Sequence, residues 1–419
     1  MKNNKETILT DLLILFIFMI VSSCDNKKDT IPFNVIPVES TVGSYNILNL
    51  SDFASSVFYI PLETNESVLI SSVIRKIIYE NEKILILDIT SQNKHNCYLF
   101  DNNGKFLRKI GRWGQGPNDY LQINNVSIFE NLIYLMDRQK ILIYDMNGNL
   151  IENISLQSSE LPEEYRMSAL RSIIPLKKNA FVVNVVTSDG SSYPTAFLFE
   201  THQSTVKTIK EYSSTVKLDK LRESFSTTEL GSMYRFKDDV RIFKIINDTI
   251  FTIGQNTEMK DAFIFDLGKY RTTQAYIEAR EGFNGNLRDY IDYGKKFIVP
   301  YIILESLNHL FFHFGFGNHA PEPFEYNNYV YGVFDKRTGD LTLMRQPIKG
   351  KLGFKNDIDN GPVFFPHYIS SKNELVTYIS AEDFLDYYDK IENPTPKMTE
   401  VAKNINLDDN EIVIIAKLK

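Results

Sequence analysis

The sequence predicts an all-β protein: a six-bladed β-propeller with four-stranded antiparallel blades, short helical insertions and an N-terminal lipoprotein signal. Three observations carry that expectation. First, short apolar segments rich in β-branched and aromatic residues follow one another along most of the chain. Examples are 83–88 (KILILD), 132–137 (LIYLMD), 180–186 (AFVVNVV), 249–254 (TIFTIG) and 309–316 (HLFFHFGF), each bounded by Asn, Asp or Gly. Second, a strand closing on an aromatic and an acid recurs as YLFD, LIYD, FLFE, FIFD and GVFD, and its acids Asp101, Asp145, Glu200, Asp266 and Asp335 lie 44, 55, 66 and 69 residues apart. That drift excludes a strict solenoid and suits blades with loops of variable length. Third, three of these strands run straight into glycine-bearing turns (DNNGK, DMNGN, DKRTGD), as a hairpin to the next strand requires.

The N-terminus stands outside the fold. Lys2 and Lys5 precede the apolar run 12–21 (LLILFIFMIV), which has the length of a signal peptide and is too short to cross a bilayer as a helix. The residues VSSC that follow resemble a lipobox, which implies cleavage before Cys24 and lipidation of its thiol. The expected organisation is therefore a signal peptide over 1–23, a flexible polar tether over 24–45 and a propeller over 46–419. Cys97 is then the only other thiol, so no intramolecular disulfide forms. The expected address is the cell envelope, lipid-anchored at the outer membrane through Cys24, with the choice of leaflet open.

With 46 Lys and Arg against 53 Asp and Glu, and no basic run, the chain has no electrostatic footprint for nucleic acid. The 43% hydrophobic content is enough for a large core, so this is not a disordered acidic chain.

The blades are expected at about 67–116, 117–157, 165–213, 230–269, 295–347 and 362–419, with 57–63 (VFYIPLE) completing the last blade beside the C-terminal strand. Such a closure joins the chain ends and removes an exposed sheet edge. Residues 270–296 have helix-compatible content and read as an insertion on one face. The stretch 381–391 (AEDFLDYYDKI) reads as a short helix with acids in its first turn, where the helix dipole favours them.

The stretch GRWGQGPNDYL, 111–121, invites a phosphate-loop reading, but G-x-x-G-x-G is not the dinucleotide spacing and a strand (LQINNVSIFE) follows where a helix is needed. Gly111, Gly114, Gly116 and Pro117 instead suit a sharp crossing from one blade to the next. The unit from CYLFD at 97 to about 154 resembles the NHL-type propeller repeat. Along nearly the whole mature chain the sequence resembles the six-bladed propeller lipoproteins of Bacteroidota, with NHL- or TolB-like blades. The resemblance rests on VFYIPLET (57–64), IGRWGQGPNDY (110–120), NDIDNGPVFFPHYI (356–369) and LDDNEIVIIAKLK (407–419), in that order. Asn118-Asp119 stands where that family has Gly-Glu, and Glu411 where Pro is common. The resemblance implies the fold and the lipid anchor and brings little mechanism.

Candidate chemistry is sparse. No G-x-S-x-G, zinc-protease or P-loop motif occurs, and no cofactor is expected. His309, His313 and His319 cluster in sequence, but in an extended strand the first two are roughly 13 Å apart, too far to share one zinc. Asp357 and Asp359 in NDIDNG lack the ligand spacing of an EF-hand and remain weak metal candidates. Arg112, Trp113 and Gln115 on the crossing place a cation, the only tryptophan and an amide on one loop, suited to stacking on a sugar or clamping a carboxylate. His313, Phe365 and His367 add rings from a strand end and the late loop. The expected function is a non-catalytic module binding a protein or glycan ligand. The alternatives are a lyase- or lactonase-type propeller enzyme with a metal or histidine site in the central channel, and a structural subunit of an outer-membrane assembly.

Overall fold

The computed structural model describes residues 34–71, 73–137, 140–156, 170–185, 194–202, 205–213, 232–243, 248–271, 297–316 and 329–419. These form six antiparallel blades. Blade one is Ile74–Glu80, Lys83–Ile89, His95–Asp101 and Phe106–Lys109. Blade two is Asn125–Phe129, Leu132–Met136, Lys140–Asp145 and Leu150–Ser155. Blade three is Leu170–Lys177, Ala180–Val185, Pro194–His202 and Thr205–Ser213. Blade four is Ser232–Phe236, Asp239–Phe243, Thr249–Ile253 and Met259–Phe265, and blade five is Ile298–Glu305, His309–Phe316, Tyr329–Asp335 and Leu341–Met344. Blade six takes Tyr368–Ile369, Glu374–Ile379 and Ile412–Leu418 from the C-terminal part, and its fourth strand, Ala54–Pro61, from the N-terminal part.

Each blade's first strand touches the first strands of both neighbours, from blade one round to blade six and back, so these six strands surround the axis. The closure expected from sequence is present: Ile60 lies opposite Val413 and Phe58 opposite Ile415 in an antiparallel ladder.

The unbroken apolar runs follow from this stacking. Ile84, Leu85, Ile86 and Leu87 are all essentially buried, because the second strand of blade one has protein on both faces. Ile84 and Ile86 pack with Val376, Val413 and Ile415 of blade six, whereas Leu85 and Leu87 pack with Val126, Ile133 and Leu135 of blade two. Alternation in such a strand therefore selects the neighbouring blade rather than core against solvent.

The recurring acids have a local cause. The Asp101 carboxylate accepts from the Asn103 and Lys105 amides, and Asp145 accepts from those of Asn147 and Asn149. Asp335 likewise accepts from the Arg337 amide. Each acid ties a turn whose glycine sits at positive φ: Gly104, Gly148 and Gly339. Asp266 is the exception. It follows the fourth strand of blade four rather than the third, so the aromatic-acid pattern there is out of phase with the other blades.

Residues 35–45, expected as part of the tether, belong to the fold. Val35–Ile36 adds a parallel strand to the outer edge of blade four and Tyr45–Asn46 does the same for blade five. Ile36, Val38 and Leu50 are completely buried, and burial of this apolar belt is the physical reason the segment is not a linker.

These additions also cover sheet edges. The outer strands of blades two and three meet each other at Ser155 and Thr205. The helix Pro396–Lys403 covers the outer strand of blade six, where the Lys397 ammonium donates to the Val57 carbonyl at 3.1 Å. Blade one keeps a short outer strand, Phe106–Lys109, carrying Arg108 and Lys109, a composition that discourages edge pairing.

The helix expected near 381–391 is present as Ala381–Tyr388, with the Ser380 hydroxyl accepting from the Asp383 amide. The helix Pro396–Lys403, with Thr395 as its N-cap and Pro396 in its first turn, was not anticipated. The insertion expected over 270–296 lies outside the described residues, apart from a short turn at Gly268–Tyr270 and the following Arg271. Among the described residues no helix is long and apolar enough to cross a membrane.

Candidate functional site

Both the 110–124 crossing and the 356–367 loop lead into the first strand of a blade, so both belong to the face at which the inner strands begin. The crossing is built around Asp119, a buried residue. Its carboxylate takes a two-point bond from the Arg112 guanidinium, at 2.9 and 3.0 Å, and a third from the Gly116 amide at 3.0 Å. Arg112, followed by that amide, holds the Asp119 carboxyl below the usual carboxylate range.

The glycines here are conditioned by close approach. A Cβ on Gly114 or Gly116 would stand 2.5 or 2.7 Å from an Asp119 oxygen, and Gly111, at φ +66°, faces the Tyr144 hydroxyl at 2.7 Å. Tyr120, fully buried beneath the loop, anchors it to the core.

Arg112 thus spends one face of its fork inside the loop. The Trp113 indole N–H donates to the Leu121 carbonyl at 3.1 Å and its ring is 40% exposed, so it does not plug the gap between blades. The Lys94 ammonium lies 5.3 Å from the ring centroid, Gln115 is exposed, and Leu121 is 50% exposed beside them.

The second group runs over blade six, with Phe365 packed on the core shared with blade five and Tyr378 on the core shared with blade one. The His313 ring contacts Tyr331 and Phe365, each at 6.3 Å between centroids. Phe365 stands 4.8 Å from Tyr331 and 5.4 Å from His367. His367 in turn is 4.9 Å from Tyr378, and its Nδ1 lies 3.0 Å from the buried Thr377 hydroxyl. His313, Phe365 and His367 are therefore neighbours, whereas Arg112, Trp113 and Gln115 form a separate group two blade junctions away on the same face.

Glu411 extends the second group. It begins the segment leading into the third strand of blade six, diagonal to Tyr378 across the ladder, a placement that brings such side chains within about 7–8 Å. One of its carboxylate oxygens is buried without a hydrogen-bond partner.

Electrostatics divide these side chains. Burial pushes the His313 imidazole down to about 4, with His367 adding to the shift, and pushes His367 to about 4 as well. His367 is exposed, and solvent moderates its shift. Glu411 moves the other way, to about 6, through burial and then through the Asp88 carboxylate nearby.

Both histidines bind fewer protons folded than unfolded between about pH 6.5 and 4, so their contribution is complete above that window and is lost on acidification through it. Glu411 binds more protons folded than unfolded between about pH 6 and 4.5 and returns part of that stability. Glu411→Gln is therefore expected to unfold more steeply with acid than the unaltered chain, by the order of 1 kcal/mol across the window. Urea melts at successive pH values check this.

Asp357 and Asp359 serve the belt and the last blade. Asp357 accepts from the Ser51 amide and hydroxyl at 2.9 and 2.6 Å. Asp359 accepts from the Tyr59 hydroxyl and the Gly361 amide, both at 3.1 Å. His309 sits four residues below His313 with Asp335 at 3.6 Å, and His319 lies outside the described residues. Among the described residues no three His, Cys, Asp or Glu side chains gather as a metal-holding group. Cys97 is buried, and its thiol is pushed far above the usual range by that burial, as befits a packing residue.

Sequence reasoning missed Tyr331, Thr377 and Tyr378, which look like ordinary strand residues. Glu411 carried a signal, as an acid where the resembling family has proline.

The molecule is a six-bladed β-propeller closed by its own N-terminal strand, with rings and one partnerless carboxylate oxygen grouped on the face where the inner strands begin. The chain belongs to the family described as "Domain of unknown function (DUF4934)", which matches residues 33–417.

Among solved structures, one from Bacteroides fragilis NCTC 9343, named "Putative exported protein", is 19% identical, with a TM-score of 0.65 over 89% of this chain and 97% of its own. A DUF4221 member from Bacteroides vulgatus ATCC 8482 is 12% identical, with a TM-score of 0.49 over 87% and 97%. Virginiamycin B lyase from Staphylococcus aureus is 11% identical, with a TM-score of 0.39 over 86% and 99%. At 19% identity, the likeness to the Bacteroides fragilis structure is one of fold alone. No curated protein matches the chain.

Proposed function

We propose that this protein is an exported propeller, anchored by lipid on Cys24 at the outer membrane, that acts as a non-catalytic module binding a small ligand, a glycan or a protein partner. Export is supported by the basic and apolar start of the chain, by the VSSC sequence, and by the name carried by the structurally similar Bacteroides fragilis protein. The observation that carries the binding reading is the chain of rings His313, Tyr331, Phe365, His367 and Tyr378, open to water at His367. Rings held by strands on both sides give planar apolar area at little entropic cost, which suits stacking on a sugar or an aromatic group.

A lyase- or lactonase-type enzyme is the second reading. It is favoured by His313 and His367 both lying against Phe365, where a charged His367 would oppose protonation of His313.

Metal analysis of the purified chain by mass spectrometry, with thermal melts before and after a chelator, separates the two. The binding reading expects no stoichiometric metal and an unchanged melt. One metal per chain, with a melting temperature that falls on chelation, overturns it in favour of channel chemistry.

A further inference from the structure

The charges acting on the ring group beside blades six and one are negative. Tyr378 is influenced by Glu411, and Glu411 by Asp88. Asp88 is fully buried and already satisfied: one oxygen takes the Ser71 amide and hydroxyl, and the other takes the Asn96 amide at 3.1 Å. The nearby cation, Lys109, is turned to the Asn96 carbonyl oxygen and to the Tyr98 ring, so it acts on Asp88. Glu411 is left with a buried oxygen that no donor among the described residues reaches. Such an oxygen is costly unless a donor or a cation arrives from outside the fold.

The rings beside it suit a cation. Phe365, His367 and Tyr378 are consecutive neighbours at 5.4 and 4.9 Å, the first pair inclined at 66° and the second at 36°, so they present both faces and edges. Water reaches His367, and the partial exposure of Phe365 and Tyr378 continues the surface. Both histidines stay neutral at physiological pH and present no like charge to an incoming cation. Adjacent aromatic faces with a carboxylate behind them form the arrangement that attracts ammonium groups through the ring quadrupoles.

We propose that the site between blades five, six and one binds the ammonium group of a cationic small molecule, with Phe365, His367 and Tyr378 as its walls and Glu411 as its counter-ion. This rests on the binding reading above and specifies its ligand class.

The test is calorimetric titration of the full chain in detergent with choline chloride and, separately, with 3,3-dimethyl-1-butanol, its uncharged isostere. Saturable choline binding is expected, with the isostere weaker by roughly tenfold or more. Glu411→Gln and Tyr378→Leu should each weaken choline by about tenfold while the melting temperature stays within a few degrees of the unaltered chain. Choline that fails to bind at about 10 mM, or that binds no better than the isostere, overturns the inference. If the isostere binds equally and His367→Ala abolishes both, the ring surface stands as a binding site and only its cationic ligand class falls. If either Glu411→Gln or Tyr378→Leu keeps full choline affinity while folded, the assigned site is wrong.

Discussion

Glu305→Ala is expected to lower the unfolding free energy by about 3–5 kcal/mol. Glu305 ends the first strand of blade five, its side chain is 1% exposed, and it joins blades four and five at their inner edge. It accepts from Arg241 Nε at 3.0 Å, from Lys336 Nζ at 3.1 Å and from the Tyr234 hydroxyl at 3.1 Å. Arg241 and Lys336 are themselves only 11% and 13% exposed, and both lie over the Phe236 ring.

Removing the carboxylate would leave two largely buried cations side by side with no acid of comparable burial among the described residues, where Asp239 is 3.7 Å from Arg241 and 40% exposed. Breaking one member of a buried ionic cluster costs far more than the intact cluster contributes, since the remaining charges stay desolvated. Urea denaturation of Glu305→Ala beside Glu305→Gln measures the effect. Gln keeps an acceptor for one donor, so it should recover part of the loss.

The second large effect is expected at Asn410, where Asn410→Ala should cost about 2–3 kcal/mol. Asn410 is 3% exposed and precedes the third strand of blade six. Its amide nitrogen donates to the Glu63 and Val68 carbonyls at 2.7 and 3.1 Å, and its oxygen accepts from the Ile70 amide at 2.7 Å. These bonds fix the connection that leaves the N-terminal strand of blade six and enters blade one, which is the seam of the ring. Alanine would remove three bonds at once and leave the buried Ile70 amide without its acceptor, while the Val68 carbonyl keeps the Asn65 amide as a donor and the Glu63 carbonyl lies at an exposed residue. Denaturation midpoints test the magnitude, and faster exchange of the Ile70 amide would localise the loss to the seam.

Much of this architecture was legible in the sequence because propeller blades are local. Three hairpins announce themselves by an acid, a turn and a glycine, at Asp101–Gly104, Asp145–Gly148 and Asp335–Gly339, and the hydrogen bonds that produce the pattern lie within four residues. The closing strand was legible from its apolar alternation and its position before the first full blade. What failed was non-local. Val35–Ile36 is too short to read as a strand, and only its pairing with Ile264 and Phe265, over two hundred residues away, gives it a place. Asp266 misled because an aromatic-acid ending occurs on a fourth strand as readily as on a third.

At the candidate site, sequence named the three residues His313, Phe365 and His367 that the fold brings together, and it also grouped them with Arg112, Trp113 and Gln115, which the fold holds in a separate loop. Arg112 looked like a free clamp, yet its partner Asp119 lies seven residues on across a glycine-bearing loop, where no regular backbone period brings the two together. Tyr331 and Tyr378 were hidden because an aromatic in a propeller strand is usually core. Only their positions beside the loop that carries Phe365 and His367 distinguish them.

The proposed binding surface is the ring group over blade six rather than the Trp113 loop. The measurement that tests it most directly is a saturation-transfer NMR screen of the full chain against a panel of monosaccharides, small amines and aromatic carboxylates, repeated on Phe365→Ala, His367→Ala and Trp113→Ala. The account predicts ligands whose signal is lost in the first two variants and kept in the third. Signals that survive Phe365→Ala and His367→Ala, or that disappear only with Trp113→Ala, would contradict it.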